Sequence, residues 1–420
     1  MSITKTDQQY IWHPFTQMKT AKEAIAIVRA QGSLLFDENN KSYIDAISSW
    51  WVNLHGHAHP YIRQRLDEQH QKLAHIMFAG FTHESATVLC KELTTVLPKN
   101  QAKFFFSGDG SSAVEIALKM AIQYWRNKGI KKQKILALDG GYHGETFGAM
   151  SAGAKSIFSA HFQDYLFEVT HIPFPTNENC LIELEKQLQS GEVAAFIFEP
   201  LVQGASGMRM YQSPMLDKMI ALCKKYQTLT IADEVMTGFG RTGTYFACNQ
   251  LQQEVDFMCL SKGLSGGTLP ISLTTCAQDI YNSFLGDDMS TAFLHGHSYT
   301  GNALGCAAAI ASLELLKKED CQNRIKEIAN NHHQFTPKLS SYPFIKDIRQ
   351  TGTILAIELQ SDNSSYTSSI KDDMYAYFME KGINLRPLGN VLYILPPYCI
   401  TDAELNHIYD SILSFFESLK

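Results

Sequence analysis

The chain has 420 residues, of which 45% are hydrophobic, and its formal net charge is −6. This size supports a large core, organised as two domains, and the acidic balance argues against nucleic acid or an anionic membrane as a partner. No apolar stretch approaches the ~20 residues of a transmembrane helix, and the amino terminus lacks the apolar core of a signal peptide. These features exclude membrane and nucleic-acid functions and favour an enzyme or binding protein for small molecules.

Cysteine and histidine usage indicates a cytoplasmic protein without a metal centre. Nine cysteines are scattered along the chain without a C-x-x-C pair, which is typical of reduced thiols rather than of disulfides or a zinc site. His55, His57 and His59 form the best metal candidate, but no carboxylate lies at ligand spacing beside them and H-E-x-x-H is absent. We interpret this segment as a polar loop near an active site or a subunit contact.

Strand-like and helix-like segments alternate through the middle of the chain. The apolar spacing from residue 113 to 125 predicts a helix with one buried face, which Ser111 or Ser112 can cap. Another helix is predicted at 215–226, and strands are predicted at 102–106, 134–138, 194–198, 229–232 and 256–260. Continuously apolar strands separated by helices indicate an α/β fold with a mostly parallel sheet covered on both faces.

The pattern changes near residue 300. A helix of small residues at 303–317 and a charged helix ending near 333 are followed by two predicted strands, 352–358 and 391–395, of a separate small sheet. We expect a large domain at 49–300 and a small domain at 301–420, which the segment 1–48 joins. Residues 360–369 predict a surface loop.

Two neighbouring strands end in groups of complementary chemistry. Lys262 follows the strand at 256–260 and precedes a glycine-rich turn, and Asp233 ends the strand at 229–232. Asp233 alone could be an ordinary cap, but buried lysines are rare unless paired, and a desolvated lysine can act as a nucleophile. Pyridoxal phosphate chemistry requires this pair, because the lysine forms a Schiff base and the acid keeps the pyridine nitrogen protonated.

Three further strand ends could complete such a site. Gly110 and Ser111 begin a helix, where backbone N–H groups suit a phosphate. Tyr142 lies among glycines and can stack on a planar ring, and Gln203 could hydrogen-bond the phenolic oxygen of the cofactor. Ligands of open α/β sheets bind beyond the carboxyl ends of the strands, so these residues predict a common site.

The glycine loop allows a competing interpretation. Gly108-x-Gly110-x-x-Ala113 fits the relaxed dinucleotide fingerprint of an NAD-dependent oxidoreductase. However, Asp139 lies further along the chain than the ~20 residues at which that fingerprint places its acid, and this interpretation gives Lys262 no role. A capped turn without a ligand, or a non-catalytic protein that keeps the fold, are the remaining alternatives.

Residues 233–243 (DEVMTGFGRTG) and 261–267 (SKGLSGG) resemble the signature of class III pyridoxal-phosphate aminotransferases, and the likeness runs nearly end to end. Residues 12–18 (WHPFTQM), 48–51 (SSWW) and 385–389 (LRPLG) resemble the branch that aminates 8-amino-7-oxononanoate in biotin biosynthesis. The resemblance implies a fold type I transferase with a large domain and a smaller α+β domain. It also implies a homodimer with shared active sites.

The resemblance assigns roles to individual residues. The catalytic residues are Lys262, Asp233 and Tyr142. The cofactor-binding residues are Gly110, Ser111, Tyr142, Gln203, Asp233, Lys262 and Ser298, the last of which matches a threonine that reaches the phosphate across the dimer interface. The substrate-binding residues are Phe15, Trp50, Trp51, Glu145, Gly296, Arg386 and Tyr393, with Arg386 binding the substrate carboxylate.

The implied reaction converts 8-amino-7-oxononanoate to 7,8-diaminononanoate with S-adenosylmethionine as the amino donor. Phe15 stands where adenosylmethionine-using members have tyrosine, and Glu145 stands where they have aspartate, so lysine is the alternative donor. His297-Ser298 replaces the usual Pro-Thr. Another class III omega-aminotransferase would share the cofactor residues but would not need the tryptophan pair with Arg386.

Overall fold

The computed structural model describes residues 2–360 and 369–420. The strands in these residues are β1 (Ile27–Gln31), β2 (Leu34–Asp37), β3 (Ser42–Asp45), β4 (Gln101–Ser107), β5 (Lys134–Leu138), β6 (Val169–Ile172), β7 (Val193–Phe198), β8 (Val202–Gln203), β9 (Arg209–Met210), β10 (Leu229–Asp233), β11 (Phe257–Leu260), β12 (Ser272–Ala277), β13 (Ile345–Thr351), β14 (Ile354–Leu359), β15 (Ile383–Asn384) and β16 (Val391–Ile394). The α-helices are α1 (Ile3–Tyr10), α2 (Ser48–Trp51), α3 (Pro60–Lys72), α4 (Glu84–Leu93), α5 (Gly110–Asn127), α6 (Phe147–Ala152), α7 (Asn179–Leu188), α8 (Ser213–Lys225), α9 (Gln278–Asn282), α10 (Ala303–Leu316), α11 (Glu319–Phe335), α12 (Ser369–Glu380) and α13 (Asp402–Ser418).

The central sheet confirms the predicted α/β architecture. Its strand order is β4-β12-β11-β10-β7-β5-β6, and all neighbours from β11 to β6 are parallel, while β12 is antiparallel to both β11 and β4. β7, β10 and β11 are buried along their whole length, because helices cover both faces. Alternate residues of these strands enter two separate core clusters, one of which contains the buried face of α5.

The parallel register decides where the site lies. Asp233, the last residue of β10, is the Cα partner of Cys259 on β11. The carboxyl ends of the two strands therefore meet at one edge, and Lys262 follows β11 by two residues.

Helix α10 brings the turn after β11 into the core. Twelve of its 14 residues are buried, and it packs against α3, α4 and the short turn Lys262–Ser265. Because most of its side chains are small, the backbones approach closely: Ser312 Oγ donates to the Gly263 carbonyl at 3.2 Å.

Two smaller sheets complete the described part of the chain. β13, β14 and β16 form a separate antiparallel sheet, in which β14 and β16 correspond to the predicted strands 352–358 and 391–395, whereas β13 was not predicted. β3 pairs in parallel with β15, which attaches the amino-terminal segment to the carboxyl-terminal one. The loop predicted at 360–369 lies outside the described residues for 361–368. None of the helices in the described residues is long and apolar enough to span a membrane.

The start of α5 differs from the prediction. The helix begins at Gly110, and its cap is Asp109 rather than Ser111 or Ser112, with the Asp109 carboxylate accepting from Ser112 N at 2.9 Å. An aspartate accepts at least as well as a serine at this position, and Ser111 and Ser112 then fall inside the first turn, where the Asp109 carboxylate already accepts from the N–H of Ser112.

The close packing of α10 gives a stability prediction. Ala311 is fully buried on α10, so Ala311→Leu should lower the free energy of unfolding by about 1–3 kcal/mol through overpacking. Urea denaturation measures this change. Ala403→Leu, on an exposed position of α13, is the control and should change the free energy by less than about 0.5 kcal/mol; a comparable loss in both variants would contradict the packing assigned to α10.

Candidate active site

A cavity of about 450 Å³ opens at the carboxyl ends of β10 and β11. Six residues predicted from the sequence line it, although they come from distant parts of the chain: Trp51, Gly110, Ser111, Tyr142, Asp233 and Lys262. The position beyond the strand ends is the usual one for a ligand in an open α/β sheet.

Lys262 supplies a desolvated amine to this cavity. It begins the turn after β11 with a φ of 45°, and its Nζ lies 4.7 Å from the centroid of the Trp51 ring. Burial lowers the pKa of Lys262, while the charges of Asp233 and Glu199 act in the opposite direction. Within the described residues Lys262 makes no ion pair, so its amine is available as a nucleophile.

Asp233 is held by a histidine that sequence reasoning misses. His143 Nδ1 lies 2.8 Å from Asp233 Oδ2, and Val235 N donates to Oδ1 at 3.1 Å. Both side chains are buried, so the carboxylate keeps one orientation. The sequence feature that could have indicated this role is the position of His143 between Tyr142 and Gly144, in a loop predicted to contact the ligand.

Glu199 is a second carboxylate of the wall. Its oxygens accept from Tyr142 N at 3.0 Å and from Gly204 N at 2.9 Å. Burial raises the pKa of Glu199 to about 7, with the nearby Asp233 adding to this and His143 opposing it. Glu199 can therefore change its charge near neutral pH beside the amine of Lys262.

The start of α5 forms an anion-binding corner. N–H groups in the first turn of a helix have no partner within the helix and attract negative charge. Gly110 is required here, because a Cβ would lie 2.7 Å from Val235 Cγ1. Ser111 Oγ accepts from Glu145 N at 3.1 Å, which joins this corner to the loop of Tyr142. Burial and a hydrogen bond to Glu145 raise the pKa of Tyr142, which keeps its hydroxyl protonated.

An aromatic wall extends from the cavity. Trp51 Nε1 donates to the Tyr393 hydroxyl at 3.0 Å. The Trp50 ring meets Phe15 edge to face at 5.5 Å, and the guanidinium of Arg386 lies 5.5 Å from its centroid. Arg386 is half-buried and makes no ion pair with any residue in 2–360 or 369–420. Its guanidinium can therefore donate hydrogen bonds to the carboxylate of a bound ligand.

Eight predicted site residues do not line the cavity of this chain: Phe15, Trp50, Glu145, Arg386 and Tyr393, whose contacts are given above, and Gln203, Gly296 and Ser298. Gln203 Nε2 donates to the Asp139 carbonyl at 2.9 Å, and the residue does not line the cavity. Gly296 and Ser298 lie in an exposed segment, where the Ser298 carbonyl is 2.7 Å from His75 Nε2.

Each histidine of the 55–59 loop has its own partner. His55 Nε2 lies 3.1 Å from Ser312 Oγ, and His59 caps α3. His57 Nε2 lies 2.9 Å from Asp45 Oδ2, although Asp45 is twelve positions away in sequence. Across the described chain, no group of three or more histidine, cysteine or acidic side chains could hold a metal ion.

Residues 16–416 match the family model described as Aminotransferase class-III. The chain belongs to this family. An adenosylmethionine-8-amino-7-oxononanoate aminotransferase of Synechococcus elongatus is 45% identical to this class III aminotransferase over 98% of this chain and 99% of its own length. An enzyme of the same name from Aquifex aeolicus is 38% identical to this chain, over 98% of this chain and 96% of its own length.

Solved structures agree with this class III assignment. The crystal structure of an adenosylmethionine-8-amino-7-oxononanoate aminotransferase from Methanocaldococcus jannaschii has a TM-score of 0.95 and 36% identity, covering 99% of this chain and 98% of its own. A PLP-bound amine transaminase from an uncultivated Pseudomonas species has a TM-score of 0.91 and 28% identity, with 97% and 98% covered. The oxidoreductase interpretation of the glycine loop is therefore set aside.

The burial of Lys262 gives a pH prediction for the cofactor-free protein. Because the pKa is lowered from 10.5 in the folded state, the unfolded chain binds more protons between the two pKa values. The free energy of unfolding should therefore rise with pH through that window. Lys262→Met removes this dependence and should be more stable than the wild type at the lower pH values. The difference in the free energy of unfolding between the two proteins should shrink by up to about 1.4 kcal/mol per pH unit as the pH approaches 10.5.

Urea denaturation between pH 7 and 10 tests this expectation. Lys338→Met, at an exposed lysine, controls for the loss of a positive charge. A constant difference between Lys262→Met and the wild type across this range would contradict the desolvation of the amine.

Proposed function

We propose that this aminotransferase uses pyridoxal 5'-phosphate to transfer an amino group to 8-amino-7-oxononanoate, giving 7,8-diaminononanoate as in biotin biosynthesis. S-adenosylmethionine is the proposed donor. The observation that carries the proposal is a continuous set of contacts: the amine of Lys262 lies against Trp51, and the neighbouring Trp50 lies against the guanidinium of Arg386, which makes no ion pair within residues 2–360 and 369–420. The full-length similarity to the relatives named above supports it.

The residues present fit this cofactor. Lys262 is a half-buried residue whose amine makes no ion pair in the described chain, and Asp233 presents a carboxylate to the same cavity. The first turn of α5 would hold the phosphate, and Tyr142 would cover the ring. When bound, pyridoxal phosphate supplies an aldehyde that condenses with amines and a protonated ring that accepts electrons.

The side chains divide the work of the reaction. Lys262, whose pKa burial lowers, would take the proton from the amine-bearing carbon of the donor and deliver a proton to the carbonyl carbon of the acceptor in the second half of the reaction. Asp233, oriented by His143, would hold the ring nitrogen in its protonated form. Trp51 is buried and Tyr142 is half-buried, so with a ligand in the cavity these two walls would limit contact with water and strengthen the electrostatic contacts.

The wall beyond Lys262 suits a long keto acid with a distal carboxylate. Arg386 would bind that carboxylate through two parallel hydrogen bonds. Trp50 and Trp51 offer apolar surface for the aliphatic chain, while the Tyr393 hydroxyl fixes the orientation of Trp51. An amine substrate without a distal carboxylate would not use Arg386.

Lysine is a second candidate for the amino donor. Glu145 is exposed beside the Tyr142 hydroxyl and suits a cationic donor. Phe15 packs edge to face against Trp50 and Phe158 and offers no hydroxyl, which favours lysine over adenosylmethionine. Mixing the cofactor-loaded protein separately with adenosylmethionine, lysine and glutamate decides between them, because only the true donor should bleach the visible absorbance.

We also propose a cytoplasmic homodimer with shared sites. Trp12, Leu294 and Tyr299 are largely exposed apolar side chains, which suits burial against a second copy. Ser298 and Gly296 could then meet the site of the partner subunit rather than their own. The proposed attachment of 1–48 to the smaller part is supported by the β3–β15 pairing, and the division at 49–300 and 301–420 stays a prediction.

Removing the amine should abolish the reaction. Lys262→Ala should reduce kcat by at least about 10⁴-fold and eliminate the visible absorbance of the bound cofactor, because no side chain remains to hold the aldehyde or move the proton. In borohydride-treated, digested wild-type protein, mass spectrometry should find a pyridoxyl group on Lys262. Normal turnover by Lys262→Ala, alongside an Lys338→Ala control, would refute this role.

Removing the guanidinium should affect the two half-reactions unequally. Arg386→Ala should raise the KM for 8-amino-7-oxononanoate by about 10- to 100-fold, the loss expected for hydrogen bonds to a charged group. The rate of the donor half-reaction should stay within about twofold. Arg63→Ala, at an exposed arginine, should change neither value. Equal effects of Arg386→Ala on both half-reactions would count against the assignment.

A further inference from the structure

Helix α2, which carries the tryptophan pair, is left-handed. The φ angles of Ser48, Ser49, Trp50 and Trp51 are 52°, 46°, 68° and 75°. The backbone bonds of one helical turn are present: Trp51 N donates to Ile47 O at 2.9 Å, and Val52 N donates to Ser48 O at 3.0 Å. L-residues other than glycine adopt this conformation as single residues, not as consecutive ones. Such strain persists only where the surroundings impose it, and it concentrates at functional sites.

A buried carboxylate imposes this conformation from one side. Asp45, the last residue of β3, is fully buried. It accepts from Ser49 N at 2.8 Å and from Ser49 Oγ at 2.7 Å. His57 Nε2 and Asn384 Nδ2 lie 2.9 and 3.2 Å from the same carboxylate and hold it in place. Asp45 therefore fixes the backbone of the turn at Ser49.

The chain beyond β16 holds the turn from the other side. Ser48 Oγ donates to the Leu395 carbonyl at 2.7 Å. Leu395 N in turn donates to Ala46 O at 2.9 Å. The turn is thus attached to both flanking segments within a few residues, and it cannot relax to a right-handed or extended conformation without breaking these bonds.

The turn serves to present both indoles to the site. In an extended strand, consecutive side chains point to opposite faces, so only one tryptophan could face the cavity. In a helical turn, neighbours are about 100° apart. Accordingly the Trp51 ring reaches Lys262 and the Trp50 ring reaches Arg386.

We propose that Asp45 and Ser49 are positioning residues for the keto-acid site, because they hold a left-handed turn that sets Trp50 and Trp51 between the reacting amine and Arg386. Neither residue lines the cavity, so both act through the tryptophans. This inference rests on the proposed function and deepens it: the affinity for a long keto acid depends on backbone handedness at residues 48–51.

Two substitutions at Ser49 separate handedness from the hydroxyl contact. Ser49→Ala loses the hydroxyl bond to Asp45, keeps the backbone N–H bond and keeps a Cβ in the left-handed region, whereas Ser49→Gly loses the same hydroxyl bond but favours that region. We expect the KM for 8-amino-7-oxononanoate to rise about tenfold in Ser49→Ala and to stay within about threefold in Ser49→Gly. The rate of the donor half-reaction should remain within about twofold in both.

Asn40 offers a matched control pair. It has a φ of 63°, lies exposed in the turn between β2 and β3, and accepts one side-chain bond, from Arg29 Nη2 at 2.9 Å. Asn40→Ala and Asn40→Gly should differ in melting temperature, as strain predicts, but should share the wild-type KM. A general loss of stability would instead raise the KM of Asn40→Ala along with that of Ser49→Ala.

The near-ultraviolet circular dichroism of the tryptophans gives a readout that needs no substrate. Ser49→Ala should change this signal more than Ser49→Gly does, and Asp45→Asn should behave like Ser49→Ala. A wild-type KM in Ser49→Ala would overturn the role of the turn while leaving the proposed function intact. A wild-type enzyme that accepts a donor but never aminates 8-amino-7-oxononanoate would overturn the proposed function itself, and with it the affinity assigned to the turn.

Discussion

The site depends on the removal of one amine from water. Lys262 sits in a turn that α10 presses into the core, and no counter-ion in the described chain pairs with it. A fully charged ammonium is costly in this environment, so the amine tends to release its proton. The negative charges of Asp233 and Glu199 oppose this lowering of the Lys262 pKa without forming an ion pair with the amine in the described chain. Burial also raises the pKa of Glu199 itself. The reactivity of the amine is therefore a property of its packing.

The same constraint explains why α10 is so poor in large side chains. A helix of leucines could not approach the turn after β11 closely enough for Ser312 to reach the Gly263 carbonyl. Close approach excludes water from the rear of the turn, while the cavity stays open in front. Stability and reactivity thus come from the same contact.

The substrate side of the site joins segments that are far apart in the chain. The left-handed turn at residues 48–51 is tied to Asp45 on one side and to Leu395 on the other, and the Tyr393 hydroxyl orients Trp51. Residues before position 60 and after position 380 therefore form one wall. The proposed cofactor region on the central sheet and the proposed substrate region at this junction are therefore built from different parts of the chain.

Local patterns in the sequence were enough to predict the parallel sheet, the helix α5, and the placement of Lys262 and Asp233 at neighbouring strand ends. These follow from periodicity and from chain order, since parallel neighbours bring their carboxyl ends to one edge. The roles of His143, Glu199 and Asp45 could not be predicted, because each depends on which group lies opposite after folding. The left-handedness of residues 48–51 was equally hidden, since no glycine marks it and only long-range hydrogen bonds make it the most stable arrangement.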